Sequence, residues 1–146
     1  MTAADFCLLA AGIFFASGLL TGIWKYRAMM TSPDAQAPVY VDISHRTSLM
    51  YAFSAILLRE FVPYSPLDAQ ATLWVVAVPL LFFASAIMTY IIHGLLRDTD
   101  NQLQRPHVLG RGHLPGFLIR LYMVALIAGE VGGFAILFGG FLLAVL

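Results

Sequence analysis

Residues 71–96 read ATLWVVAVPLLFFASAIMTYIIHGLL, with no Asp, Glu, Lys or Arg in the run. About 20 helical residues cross a hydrocarbon core of roughly 30 Å, so this stretch predicts a transmembrane helix. Pro79 lies inside it and predicts a kink, because proline removes one backbone hydrogen bond and crowds the preceding turn. Working outward, three more apolar runs predict helices at about 5–24, 45–63 and 117–146. The expected fold is therefore all-α: a single integral membrane domain over residues 1–146 with four transmembrane helices.

Composition agrees with that class. The chain has 146 residues, 60% of them hydrophobic and only 11% charged, with a mean hydropathy of +0.85, well above a soluble domain. A formal net charge of zero argues against a nucleic-acid partner, since phosphate binding needs a basic surface and no Lys/Arg cluster supplies one. Cys7 is the only cysteine, so neither an intrachain disulfide nor a cysteine-based metal site is available. The first apolar run is too long, and its N-terminus too poor in basic residues, for a cleaved signal peptide.

Charge sets the expected orientation. Lys25, Arg27, Arg46, Arg97, Arg105, Arg111 and Arg120 lie at or in the two long loops, and Arg59 alone lies toward the other side. The positive-inside rule then puts both long loops in the cytoplasm and both termini outside, as in a bacterial inner-membrane protein. Trp24, Lys25, Tyr26 and Arg27 mark the interface at the end of the first helix. Gly18 and Gly22, a GxxxG pair in that helix, allow close approach of another backbone.

Chemistry-bearing residues concentrate on the second and third helices. In Val41-Asp42-Ile43-Ser44-His45-Arg46-Thr47-Ser48-Leu49-Met50-Tyr51 a polar loop is expected to become a helix at His45, a residue type that commonly ligates metals and haem. His45, Ser48, Ala52, Ala55 and Arg59 share one small or polar helical face, which is expected to look into the protein. On helix 3, Ser85, Thr89, His93 and Arg97 form a matching series with Tyr90 one step round, so His93 is the rival ligand. Arg46, beside His45, is the further cofactor-contact candidate. In helix 4, Glu130 needs a partner or a proton. Counting depth along the helices nominates Arg59, so an Arg59–Glu130 ion pair between helices 2 and 4 is expected. His107 and His113, six residues apart in a Gly- and Pro-rich loop with Arg105 and Arg111, read as a solvated basic segment. No nucleophile elbow, phosphate loop, HExxH or paired carboxylate site occurs, so hydrolysis and phosphoryl transfer lack support.

Three local features resemble styrene oxide isomerase: Gly-Leu-Leu-Thr-Gly-Ile-Trp at 18–24, Ser-His at 44–45, and a Tyr-containing third helix followed by Asp-Asn-Gln at 100–102. The resemblance implies a homotrimer of four-helix subunits holding ferric haem b on the helix 2 histidine, His45. The iron would act as a Lewis acid on the oxygen of a small apolar epoxide, giving an aldehyde. It also implies roles at the substrate for Tyr90 and for Asn101 of the Asn101-Gln102 pair. Six residues after the histidine the family carries an asparagine; here Tyr51 stands there and offers a hydroxyl instead. Two alternatives remain. The membrane-associated eicosanoid and glutathione metabolism proteins are similar in length, helix count and trimeric state, but the Asn and Glu of their glutathione pattern are missing from residues 45–50. A non-catalytic subunit or assembly factor of a membrane complex is the other.

Overall fold

Thr2 begins the first helix through a reciprocal cap. Its hydroxyl accepts from Asp5 N at 3.1 Å, and the Asp5 carboxylate accepts from Thr2 N at 3.0 Å. In the computed structural model, which describes Met1–Leu146, α1 then runs over Ala3–Met30. Pro38 starts α2, Val39–Phe61, and Pro63 lies in a short 3₁₀ turn, Val62–Tyr64. Asp68 caps α3, Ala69–Leu96, by accepting from Ala71 N at 2.8 Å. Arg97 ends α3 in the left-handed region, with φ of 51°. A small antiparallel ribbon, β1 Val108–Leu109 and β2 Gly112–His113, turns at Gly110, whose φ is +60°. Pro115 precedes α4, Gly116–Val145.

Contacts along the helices fix their order. Lys25 of α1 bonds Asp42 of α2, while Gly18 carries His45, so α1 and α2 are antiparallel. Tyr40 packs on His93 and Tyr51 stacks on Phe83, which makes α2 and α3 antiparallel as well. Tyr122 meets Ser85 and Gly133 meets Val75 and Pro79, giving the same relation between α3 and α4. The four helices thus form an up-and-down arrangement. The loops at residues 31–38 and 97–115 share one end, and the 3₁₀ turn lies at the other.

Small residues of α1 and α2 form one side of the core and larger apolar residues of α3 the other. Ala3, Cys7, Ala10, Ala11 and Phe14 of α1 meet Ala52, Ala55 and Leu58 of α2, with Val76, Leu80, Phe83 and Ile87 of α3 behind them and Leu137 from α4. Small side chains let helix axes approach closely, the packing device of helices in lipid. α4 buries only Gly133, Leu137 and Gly140 and exposes Phe117, Leu121, Val124, Ile127 and Val131.

One expectation is met in part and another changes. Of the four helices, α1, α3 and α4 are long and apolar enough to cross a membrane, and α2 is less apolar than these. Its first half contains Asp42, Ser44, His45, Arg46, Thr47 and Ser48, which lowers its hydropathy. In addition, α2 starts at Val39 rather than His45, because Pro38 supplies a helix start and Tyr40 and Val41 are already buried. His45 therefore lies in the second turn rather than at the mouth of the helix.

Candidate functional site

Of the face expected on α2, Ser48 and Ala55 are fully buried, Ala52 nearly so and His45 half-buried, while the Arg59 side chain is 42% exposed; Ser44, beside that face, is fully buried. The serine hydroxyls are satisfied within the helix, Ser44 donating to Val41 O at 2.9 Å and Ser48 to Ser44 O at 2.7 Å. His45 is held differently. Its Nδ1 lies 2.8 Å from Gly18 O; a carbonyl can only accept, so Nδ1 carries the hydrogen and Nε2 is the open nitrogen. The ring rests on Gly22, where a Cβ would stand 2.9 Å from His45 Cε1. Both glycines of the GxxxG pair therefore serve this one contact. Arg46 turns outward and pairs with Asp42 at 2.8 Å, and Asp42 also takes Lys25 at 2.6 Å.

A different group of residues encloses volume. A cavity of about 490 Å³ lies between α3, α4 and the loop after α3, with Tyr51 of α2 in its wall. That size suits a small molecule. Thirteen of its seventeen lining residues are hydrophobic, and the polar remainder includes Thr89, His93, Gln102 and His107. Tyr51, Tyr90 and Tyr122 bring three phenols to it. Tyr51 is fixed by stacking on Phe83 with ring centroids 4.1 Å apart, and Tyr122 bonds Ser85 Oγ at 2.6 Å.

His93, 3% exposed, stands at one end of this cavity. Its Nδ1 lies 2.7 Å from Asp98 Oδ1, while Asp98 Oδ2 accepts from Gly110 N at 2.5 Å. Burial pushes the Asp98 carboxyl up, but the bonds from His93 and Gly110 outweigh it and hold the group below the usual carboxylate range. The loop is pinned further by Gln102 N, which donates to Tyr40 Oη at 2.5 Å. His107 Nδ1 donates to Gln102 O at 3.3 Å. His45, His93 and His107 thus share one pattern: an oxygen holds Nδ1–H, which leaves Nε2 for a ligand, as in many metal-binding histidines.

Of the residues singled out in the sequence, Tyr51, Tyr90 and His93 come together at the cavity. His45 and Arg46 do not line it, and Asn101 is exposed, its carbonyl accepting from Leu103 N at 3.0 Å in a local turn. The expected Arg59–Glu130 pair is absent: Arg59 bonds Glu60 at 3.0 Å, and Glu130 Oε1 is buried without a partner. Register explains this. Phe61, two residues beyond Arg59, packs on Phe134, Phe138 and Phe141, so Arg59 lies past the level of Glu130. His107 departs from its solvated reading: it is 8% exposed and lines the cavity, whereas His113 is exposed as expected. Tyr122 was not singled out, although Leu118, Ile119, Tyr122 and Leu126 recur on one face of α4 at helical spacing.

No three His, Cys, Asp or Glu side chains gather as a set for a metal ion. Haem asks less of a protein, since the porphyrin supplies four ligands and one histidine suffices. His45 meets that requirement in donor chemistry, with its Nε2 open and its second nitrogen anchored. Comparison with protein-family models, curated proteins and solved structures finds no match for this chain.

Proposed function

We propose that this chain is a membrane-embedded isomerase that opens a small apolar epoxide to a carbonyl compound in the α2–α3–α4 cavity, with haem b on His45. The supporting observation is the cavity, where the hydroxyl-bearing rings of Tyr51 and Tyr90 stand in an otherwise mostly apolar wall. When bound, haem b supplies a Lewis-acidic iron for an oxygen atom. The chain's own residues orient the substrate and exclude water. Tyr51, locked on Phe83, can donate to an epoxide oxygen, and the apolar wall suppresses opening by water to a diol. His45 is fixed by Gly18 O and faces α1, on another side of α2 from the cavity. The reading therefore depends on the homotrimer that the resemblance implies, in which haem on the His45 of one subunit would face the cavity of the next, with α2 as a fourth spanning helix and the long loops in the cytoplasm of a bacterial cell.

The absorbance spectrum tests it. Protein purified after expression with ample haem should show a Soret band that is lost in His45→Ala and kept in His93→Ala. It should also convert an aryl epoxide to an aldehyde, at a rate reduced roughly 10²-fold or more in Tyr51→Phe. Colourless protein would sink the haem assignment. Retained glutathione, or a stable larger complex without either ligand, would favour one of the two alternatives.

A further inference from the structure

A second cavity, of about 420 Å³, adjoins the first and has the opposite character. Only two of its seven lining residues are hydrophobic, and its charged side chains are Arg105 and Arg120. Neither arginine takes part in any of the four ion pairs of the molecule, which join Lys25, Arg46, Arg59 and His93 to acidic partners. Two unpaired guanidinium groups at one concavity are a donor set for an anion, and phosphate suits their fork geometry.

Two more observations converge there. The wall includes Gly116, the first residue of the 30-residue helix α4, whose N-terminus has no side-chain cap. The Gly116 and Phe117 amides and the positive end of the helix dipole are therefore available, the next two amides being taken by Pro115 O. His107, 8% exposed, uses Nδ1 on Gln102 O, while its Nε2 has no hydrogen-bond partner and lies 3.6 Å from where a Gly116 Cβ would be. A side chain at that glycine would fill the space beside the imidazole.

The two cavities share His107 and Leu114 as wall residues. An arginine-lined compartment thus abuts a larger apolar one at the loop end of the helices. We infer that the pair forms one binding site for an anionic amphiphile, with its phosphate headgroup held by Arg105, Arg120 and the start of α4, a P–OH of the monoanion donating to His107 Nε2, and its apolar chain in the larger cavity. The inference needs neither haem nor an epoxide. Such an amphiphile would compete for the space assigned above to the substrate.

The test compares three ligands on the full chain in a neutral detergent: dodecyl phosphate, dodecanol and inorganic phosphate. Apparent affinity is read from the concentration dependence of the thermal-unfolding midpoint. Dodecyl phosphate should bind roughly tenfold or more tightly than either of the others, one charge-assisted contact being worth about that factor. Arg105→Gln with Arg120→Gln should reduce it to the dodecanol value, and Leu126→Trp, which fills the apolar cavity, to the inorganic phosphate value. Equal binding of dodecyl phosphate and dodecanol would overturn the headgroup site. Inorganic phosphate as tight as dodecyl phosphate would leave a free-anion site and overturn the amphiphile. A phosphate preference that survives the double arginine variant would also overturn it, since the charge would then be read elsewhere. The three-ligand comparison on the unmodified chain stands whether or not either variant folds. Neither a haem spectrum nor epoxide turnover enters it, so its failure is separate from failure of the proposed reaction.

Discussion

The α1–α2 and α3–α4 contacts are both antiparallel helix pairs, and they differ in what fills them. Between α1 and α2, Gly18 and Gly22 admit Leu49 and His45, alanines interleave, and Ser44, Ser48, Thr21 and His45 all bond to main-chain carbonyls. Between α3 and α4, large rings do the packing: Phe82 meets Tyr122 edge-on, and Gly129 and Gly133 accommodate Phe82 and Pro79. Rings and branched chains leave volume at the loop end, and the cavity with three phenols lies there. Small residues close an interface with polar groups satisfied, as Gly133 does against the Val75 main chain, whereas bulky ones at the loop end of α3 and α4 enclose space. The difference places binding capacity on the α3–α4 side. The most conspicuous histidine of the chain belongs to the closed side.

The largest expected effect probes the closed interface. Gly22→Leu would drive carbon into the His45 ring, where even a Cβ stands 2.9 Å from Cε1. A loss of about 3 kcal/mol of stability in denaturant unfolding in detergent is expected from overpacking of this kind. A tolerated leucine would show that α1 and α2 are not close-packed.

A smaller effect belongs to the open side. Asp98→Asn weakens the bond to His93 Nδ1 and the one from Gly110 N, so a loss of about 2 kcal/mol is expected for this buried charged acceptor. The pH dependence carries its own sign. The Asp98 carboxyl is depressed in the folded chain, so its contribution is present above the ordinary carboxylate value of about 4 and fades as pH falls through the lower folded value. Unfolding midpoints between pH 6 and 3 should fall more steeply in the unmodified chain than in Asp98→Asn. Equal slopes would mean that the aspartate does not lock the loop.

The smallest effect has the opposite direction. Nothing lies within 4 Å of a Cβ placed on Gly132, so Gly132→Ala should gain roughly 0.5–1 kcal/mol through helix propensity alone. A loss instead would mean that this face of α4 is covered by another copy of the chain, and the comparison of a closed and an open interface would have to be redrawn for the oligomer.

Local pattern made much of this legible. Apolar runs marked four helices, three of which are long and apolar enough to cross a membrane, and three- and four-residue periodicity found Ser48, Ala52 and Ala55 on the buried face of α2 but also put Arg59 there. The GxxxG pair announced a close contact and received one. Side-chain pairing between distant segments was not legible in the same way. Counting depth from assumed helix starts matched Arg59 to Glu130, but the packing of Phe61 on α4 sets Arg59 farther along. Likewise, His107 looked solvated from its Gly- and Pro-rich surroundings, yet the bond from Gln102 N to Tyr40 draws that loop over the helix ends.

The sequence by itself therefore determined an all-α chain with helices built for lipid, because hydropathy and periodicity are properties of single segments. Tertiary structure alone decided that His45 lies on glycine against α1, that His93 is held by Asp98 at a cavity, and that Arg105 and Arg120 share a basic compartment beside it. Those facts depend on register between helices and on the course of one loop. Both are set by the shapes of side chains meeting across the fold, which no single segment encodes.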